Sequence, residues 1–238
     1  SKATSMLQAF ADAGFTTNED LTQMYRDYAA TRPGTAVGGA DLTLPEPTAD
    51  YYTDELMADA KEFSDVAVIT IGRPGGEGFD LPEDLNAVIN GTYSLQDTVA
   101  NGNQQYTYTN FTYTNNGDYD DFDEGEHYLQ LSNTEEAMVE RVCSEFDNVV
   151  VIVNSNNAME LGWVDDYEQI GAVLLVPGTG ANGFTGLAEV MKGTVKPSGR
   201  TVDTYAYELE DQPTFNNIAN FSFNNVDDLK QAFTESDM

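Results

Sequence analysis

Glu77 stands between Gly76 and Gly78 in the stretch Ser64–Pro82, SDVAVITIGRPGGEGFDLP. Flanking glycines leave room for a ligand against the backbone, and a carboxylate there could give or take a proton. Arg73, four residues earlier, could lower the carboxyl pKa or bind substrate. A catalytic acid needs the opposite shift, raised by burial or by a neighbouring carboxylate. The plainer alternative is a solvated loop acid.

Other chemistry-bearing residues are few. Cys143 is the only cysteine, so no internal disulfide exists, and it reads as a packed small hydrophobe in a helix. His127 is the only histidine, which excludes a metal site built on several His or Cys ligands. No nucleophile-elbow sequence accompanies it, which counts against a Ser–His–Asp triad. Gly178, Gly180 and Gly183 match G-x-G-x-x-G after a strand and before a helix, with Asp203 about 20 residues on. That pattern fits a dinucleotide loop, but the strand after the helix is not convincing and Asp203 lies beyond a Pro-Ser-Gly-Arg turn, which favours a tight strand-to-helix turn that needs glycine. Asp118, Asp120, Asp121, Asp123 and Glu124 could bind calcium, although the spacing is not that of an EF-hand. No cofactor and no metal are expected.

These groups must be positioned by an α/β framework. Val66–Ile71 is a short β-branched run, as in a strand buried on both faces, and it breaks into Gly72, Pro74, Gly75, Gly76 and Gly78. In open α/β sheets ligands bind beyond the carboxyl ends of such strands. Thr53 can cap a helix through about Phe63, with Asp54 and Glu55 in its first turn. Ser132 and Glu135 form a capping box for a helix whose buried side is Met138, Val139, Val142 and Phe146. Strands follow at Val149–Val153 and Gly171–Val176, and the second opens through PGTGANG into a helix ending near Lys192. Strands alternating with helices predict a mainly parallel sheet covered on both faces.

The remaining segments read as follows. Residues 1–30 carry Leu7, Phe10, Ala11, Phe15, Leu21, Met24, Tyr25 and Tyr28 at helical spacing, and residues 31–50 are loop. Residues 84–126 form a polar insertion in which Tyr106, Tyr108 and Tyr113 alternate with threonines before the turn signal Asn115–Gly117. A hairpin there could stack its aromatics on sugar rings, or the segment is a solvated excursion. Residues 206–238 are an Asn-rich, then amphipathic tail.

Composition bounds the function. The chain has 238 residues, and 40% hydrophobic content suffices for a core. Its 41 acids against 10 bases give a net charge of −31. That excludes nucleic acid as a partner, since such binding rests on Lys and Arg facing phosphates, and it argues against anionic membranes. Solubility, salt adaptation or an extracellular setting accounts for the acidity, and the Asn, Thr and Tyr content leans the same way, towards the cell surface. No apolar stretch reaches the roughly 20 residues of a membrane helix. The chain opens SKATSMLQAF, without an initiator Met or secretory leader, and is expected to be processed or cut from something longer.

The segments together resemble a family. VAVITIGRPGGEGFDLP resembles a strand and Gly-Glu-Gly loop, often followed by an Asp, of the α/β sandwich domain of glycoside hydrolase family 3. Leu129-Gln130-Leu131-Ser132 with Glu135 resembles its L-x-L-P…Q helix start, and Val149–Val153 with Asn154-Ser155 its next strand. Trp163 is similar to its L-x-W, Leu174–Gly178 to the strand before its P-G-Q, and Lys196–Arg200 to its N-P-S-G-R-L. Thr179, Ser132 and Lys196 stand where the family usually has Gln, Pro and Asn, which leaves substrate identity open.

The resemblance implies an α/β fold: a three-layer α/β/α sandwich with a mainly parallel sheet of about six strands over residues 51–205, preceded by lead-in helices and linker over 1–50. It implies Glu77 as the acid/base of a retaining β-glycosidase such as a β-glucosidase, with Glu83 as fallback. Arg73, Gly76, Gly78 and Asp80 would contact a carbohydrate substrate. The nucleophilic Asp would come from a TIM-barrel domain, the partner expected in the parent chain, so this chain alone is expected to be inactive. Trp163 is expected in the core, and Arg200 is expected to tie its turn to the sheet. The alternative is a non-catalytic carbohydrate-binding or interaction module using the Tyr-rich insertion. The sugar, the linkage and the oligomeric state are not given by the sequence.

Overall fold

The computed structural model describes residues 3–32, 43–75, 81–91, 99–101, 104–106, 113, 121–212 and 215. Its elements are α1 (Met6–Asp12), α2 (Glu19–Thr31), α3 (Asp54–Phe63), β1 (Ala67–Arg73), α4 (Leu85–Ile89), β2 (Val99–Asn101), β3 (Gln104–Tyr106), α5 (Asn133–Glu145), β4 (Val149–Ser155), β5 (Ile170–Leu175) and α6 (Gly183–Met191).

Local chemistry explains the helix starts. Thr53 accepts from the Leu56 amide at 3.2 Å, and Asp54 and Glu55 occupy the first turn of α3, where the helix dipole favours acids. The capping box forms as expected: Ser132 Oγ accepts from Glu135 N at 3.2 Å, and Glu135 Oε2 accepts from Ser132 N at 2.9 Å. Ser5 and Asn18 cap α1 and α2 one way only, their side chains accepting from the Gln8 and Leu21 amides.

β1, β4 and β5 form a parallel sheet in the order β1-β4-β5, with Ile69 beside Val151 and Val151 beside Val173. Three strands are therefore seen among the described residues where about six were expected. β2 and β3 are a separate short antiparallel pair. The predicted turn at Asn115–Gly117 lies outside the described residues.

One sheet face presents Ile69, Ile71, Val149, Val151 and Val153 to Met57 and Ala60 of α3 and to Met138, Val139 and Cys143 of α5, forming the main core. β4 is central and Ile152 on its other face is also fully buried. β1 departs from the expectation of burial on both faces. Among the described strands it lies at the edge of the sheet, and Val66 and Val68 are 46% and 44% exposed. No helix among the described residues is long and apolar enough to cross a membrane.

Residues at both ends of the polar insertion are packed. Leu85, Tyr113, Phe122 and Tyr128 make a second core, joined by Leu81 and, through Leu129, to the first. The lead-in helix α1 lies against α6, with Thr4 N donating to Ala181 O at 2.9 Å and Lys192 Nζ to Ala13 O at 2.5 Å. Leu7, one of the apolar residues at helical spacing, is 43% exposed. The segment after residue 204 packs back on the loop that follows β4: Leu209 N and His127 Nε2 both reach Glu160 Oε1, at 2.5 and 2.9 Å.

Candidate functional site

The carboxyl ends of β1, β4 and β5 open onto a cleft of about 300 Å³. Gly72–Gly75 form one wall, Asn154–Asn156 another, and Leu44, Gly178 and Thr179 complete it. The walls are fixed by short bonds: Asn154 Nδ2 donates to Val176 O at 2.7 Å, and Ser155 Oγ donates to Asn157 O at 2.9 Å. A Cβ on Gly75 would lie 2.9 Å from Asn157 Nδ2, so a larger residue there would displace the end of the Asn157 side chain. Gly178 and Gly180 have positive φ values of 45° and 56°, and a Cβ on Gly178 would meet Asn156 Oδ1 at 3.0 Å. Those glycines serve the turn into α6. Among the described residues no strand follows α6, so they show no second half of a dinucleotide unit.

Arg73 ends β1 and is only 5% exposed. Its Nε donates to Tyr128 O at 2.7 Å, Nη1 to Gly72 O at 2.9 Å and Glu135 Oε1 at 2.6 Å, and Nη2 to Gln130 O at 2.7 Å and to Glu135 Oε2. All five N–H groups of a guanidinium are thereby occupied. Arg73 was expected to contact substrate, but no donor is left for a substrate oxygen. Burial opposes the charge, yet Glu135 beside it more than offsets this and raises the Arg73 pKa. The guanidinium also lies 5.4 Å from the centroid of the Tyr128 ring, and the Tyr128 hydroxyl donates to Pro74 O at 3.1 Å.

Two further carboxyls surround this pair. Asp121 is buried and accepts from Tyr113 OH at 3.0 Å and Thr134 Oγ1 at 3.1 Å. Burial raises its pKa, against the pull of those two donors. This acid, a calcium candidate by sequence, faces protein hydroxyls instead; Asp118 and Asp120 lie outside the described residues. Glu46 is pushed up to about 7, by burial first and then by Glu135, while Arg32, a hydrogen bond from Tyr25 and Arg73 pull it down. Tyr25 and Tyr52 share a 2.7 Å hydroxyl contact beside it.

Glu77, Gly76, Gly78 and Asp80 lie outside the described residues, which stop at Gly75 and resume at Leu81. Glu83 is half-buried. Its Oε1 is buried with no hydrogen-bond partner among the described residues, and burial raises its pKa. Asp84 then caps α4 by accepting from Ala87 N at 2.9 Å. Trp163 packs against the main core and donates to Glu160 O at 3.1 Å, as a core residue should. Arg200 does not tie its turn to the sheet; it is exposed and donates to the adjacent Gly199 O at 3.4 Å. Its turn has no neighbouring strand to bind among the described residues. The side chain of Tyr106 and all of Tyr108 lie outside the described structure. Glu46 and the second role of Glu135 were missed. An arginine closing a strand that begins as an apolar run was the available signal that a buried acid could face it.

Comparison with known proteins is consistent with this geometry. Residues 4–237 match the glycosyl hydrolase family 3 C-terminal domain. The chain is 29% identical over 222 residues to a β-glucosidase of Ruminococcus albus, covering 92% of this chain and 19% of that protein. It is 30% identical over 197 residues to β-glucosidase A of Butyrivibrio fibrisolvens, covering 81% and 20%. Among solved structures, a β-glucosidase from Paenibacillus barengoltzii superposes with a TM-score of 0.67 at 26% identity, covering 93% of this chain and 20% of that one. β-Glucosidase 3B of Thermotoga neapolitana shares the fold, with a TM-score of 0.62 at 21% identity. The chain spans about one fifth of the length of these curated relatives.

Proposed function

The chain belongs to glycosyl hydrolase family 3, as its C-terminal domain, and from that membership we propose that it lends a general acid/base to a β-glycosidase active site shared with another domain of a longer protein. Glu77 is the acid/base. It protonates the leaving oxygen in the first half-reaction and activates water in the second. The nucleophilic carboxylate comes from a TIM-barrel partner domain, about 5–5.5 Å away as retaining chemistry requires. Without it this chain does not turn over substrate.

The observation that carries the reading is the match over residues 4–237 to a domain whose relatives here are named β-glucosidases. The cleft at the strand ends supports it, because the segment leaving β1 lines that cleft as far as Gly75, two residues before Glu77 in sequence. Glu83 is the second candidate, since a buried oxygen with no partner among the described residues and a raised pKa suit a proton donor.

The test uses the full-length protein carrying this chain. Glu77→Ala should lose activity heavily on an aryl β-glucoside with a poor leaving group and far less on an activated one, by a factor of about 10²–10⁴ between them. Azide should restore turnover and yield a β-glycosyl azide. An unchanged profile would move the acid to Glu83 or outside this domain.

A further inference from the structure

We propose that Arg73 is a positioning residue, fixing through Glu135 and Tyr128 the point at which the chain leaves β1; the proposal rests on the acid/base reading above. A buried guanidinium is costly unless every donor is met, and a well-packed hydrophobe would often be as stable. What the arginine adds is direction, because its planar fork holds several acceptors in one fixed geometry.

Those acceptors come from separate parts of the chain. Gly72 O belongs to β1, Tyr128 O and Gln130 O to the segment before α5, and Glu135 to α5 itself. Glu135 cannot drift, since Oε2 is also held by Ser132 N in the capping box. Tyr128 then reaches one residue past the strand to Pro74 O. The chain is gripped from the same side where it returns: Leu81 and Leu85 join Phe122 and Tyr128 in the second core, and Leu85 N donates to Glu126 O at 2.6 Å. Residues 121–131 therefore brace both ends of the interval that contains Glu77 in sequence. A misplacement of about 1 Å at a reacting group can cost on the order of 10²-fold, so the brace should register in chemistry as well as in stability.

The experiment compares Arg73→Lys, Tyr128→Phe and Glu77→Ala in the full-length protein on the poor and the activated aryl β-glucoside. Lysine keeps the charge but not the fork, and phenylalanine keeps the ring but not the bond to Pro74 O. Arg73→Lys should lower kcat on the poor substrate about tenfold or more beyond its effect on the activated one, with KM changing less than kcat. Tyr128→Phe should show a smaller split in the same direction, and it decides the matter if Arg73→Lys does not fold. Equal losses on both substrates, beside a clear split for Glu77→Ala, would overturn the positioning role and leave the acid/base reading standing. No split for Glu77→Ala would overturn that reading and this proposal with it.

Discussion

Arg73 and Glu135, 62 positions apart, meet as a two-pronged ion pair whose side chains are 4% and 3% exposed. The pair fastens the carboxyl end of β1 to the first turn of α5, four residues in sequence before the proposed acid/base Glu77.

Removing one partner should therefore be severe. Glu135→Ala leaves a buried guanidinium unmatched and also breaks the capping box, and should cost about 3–5 kcal/mol in urea unfolding. Glu145→Ala, which breaks partly exposed contacts to Lys61 at 3.3 Å and Arg141 at 3.5 Å, should cost no more than about 1 kcal/mol. Equal losses for the two variants would contradict the assignment of Arg73–Glu135 as the central tie.

Glu46 should make stability depend on pH. Its folded pKa, about 7, lies above the ordinary value of 4.5, so the folded state binds the proton more tightly than the unfolded chain. The contribution is fully present below about 4.5 and is lost as pH rises to about 7. Glu46→Gln should gain stability relative to the parent across that window, by at most roughly 3 kcal/mol. Denaturation midpoints at several pH values read this directly, and parallel curves for the two proteins would contradict it.

Tyr113 and Asp121 predict a smaller effect in the second core. Tyr113→Phe removes a donor from a buried carboxyl and should cost about 1–3 kcal/mol. Because burial already raises the Asp121 pKa, losing that donor should raise it further, which carboxyl titration by NMR can follow. A fall in that pKa would contradict the hydrogen bond as drawn.

Gly178 separates two readings of one motif. A positive φ and a 3.0 Å approach to Asn156 Oδ1 predict that Gly178→Ala costs about 1–2 kcal/mol through backbone strain. NAD and FMN should shift the melting temperature of neither form. A thermal shift with either nucleotide would revive the dinucleotide reading.

What could be read from the sequence was what is local. Thr53, Ser132 and Glu135 announced their helices because a cap acts within one turn, and Val149–Val153 announced a strand by its unbroken apolar run. The exposure of Val68 was hidden, because an edge strand and a central one carry the same β-branched signal until the pairing is known. The Arg73–Glu135 tie was hidden for a related reason. Glu135 already had a sufficient local explanation as a cap, and nothing in a linear sequence pairs it with an arginine one strand and one insertion away. Leu85, Tyr113 and Phe122 were masked by the polar residues around them, although they build the second core.

The most direct check on the central claim is the pH dependence of kcat/KM on an activated aryl β-glucoside, compared between the full-length protein and its Glu77→Ala variant. A bell-shaped profile in the parent and loss of its alkaline limb in the variant are expected, since that limb reports the proton held by the acid. An alkaline limb that persists unchanged in Glu77→Ala would contradict the assignment, and its disappearance in Glu83→Ala instead would give the role to Glu83.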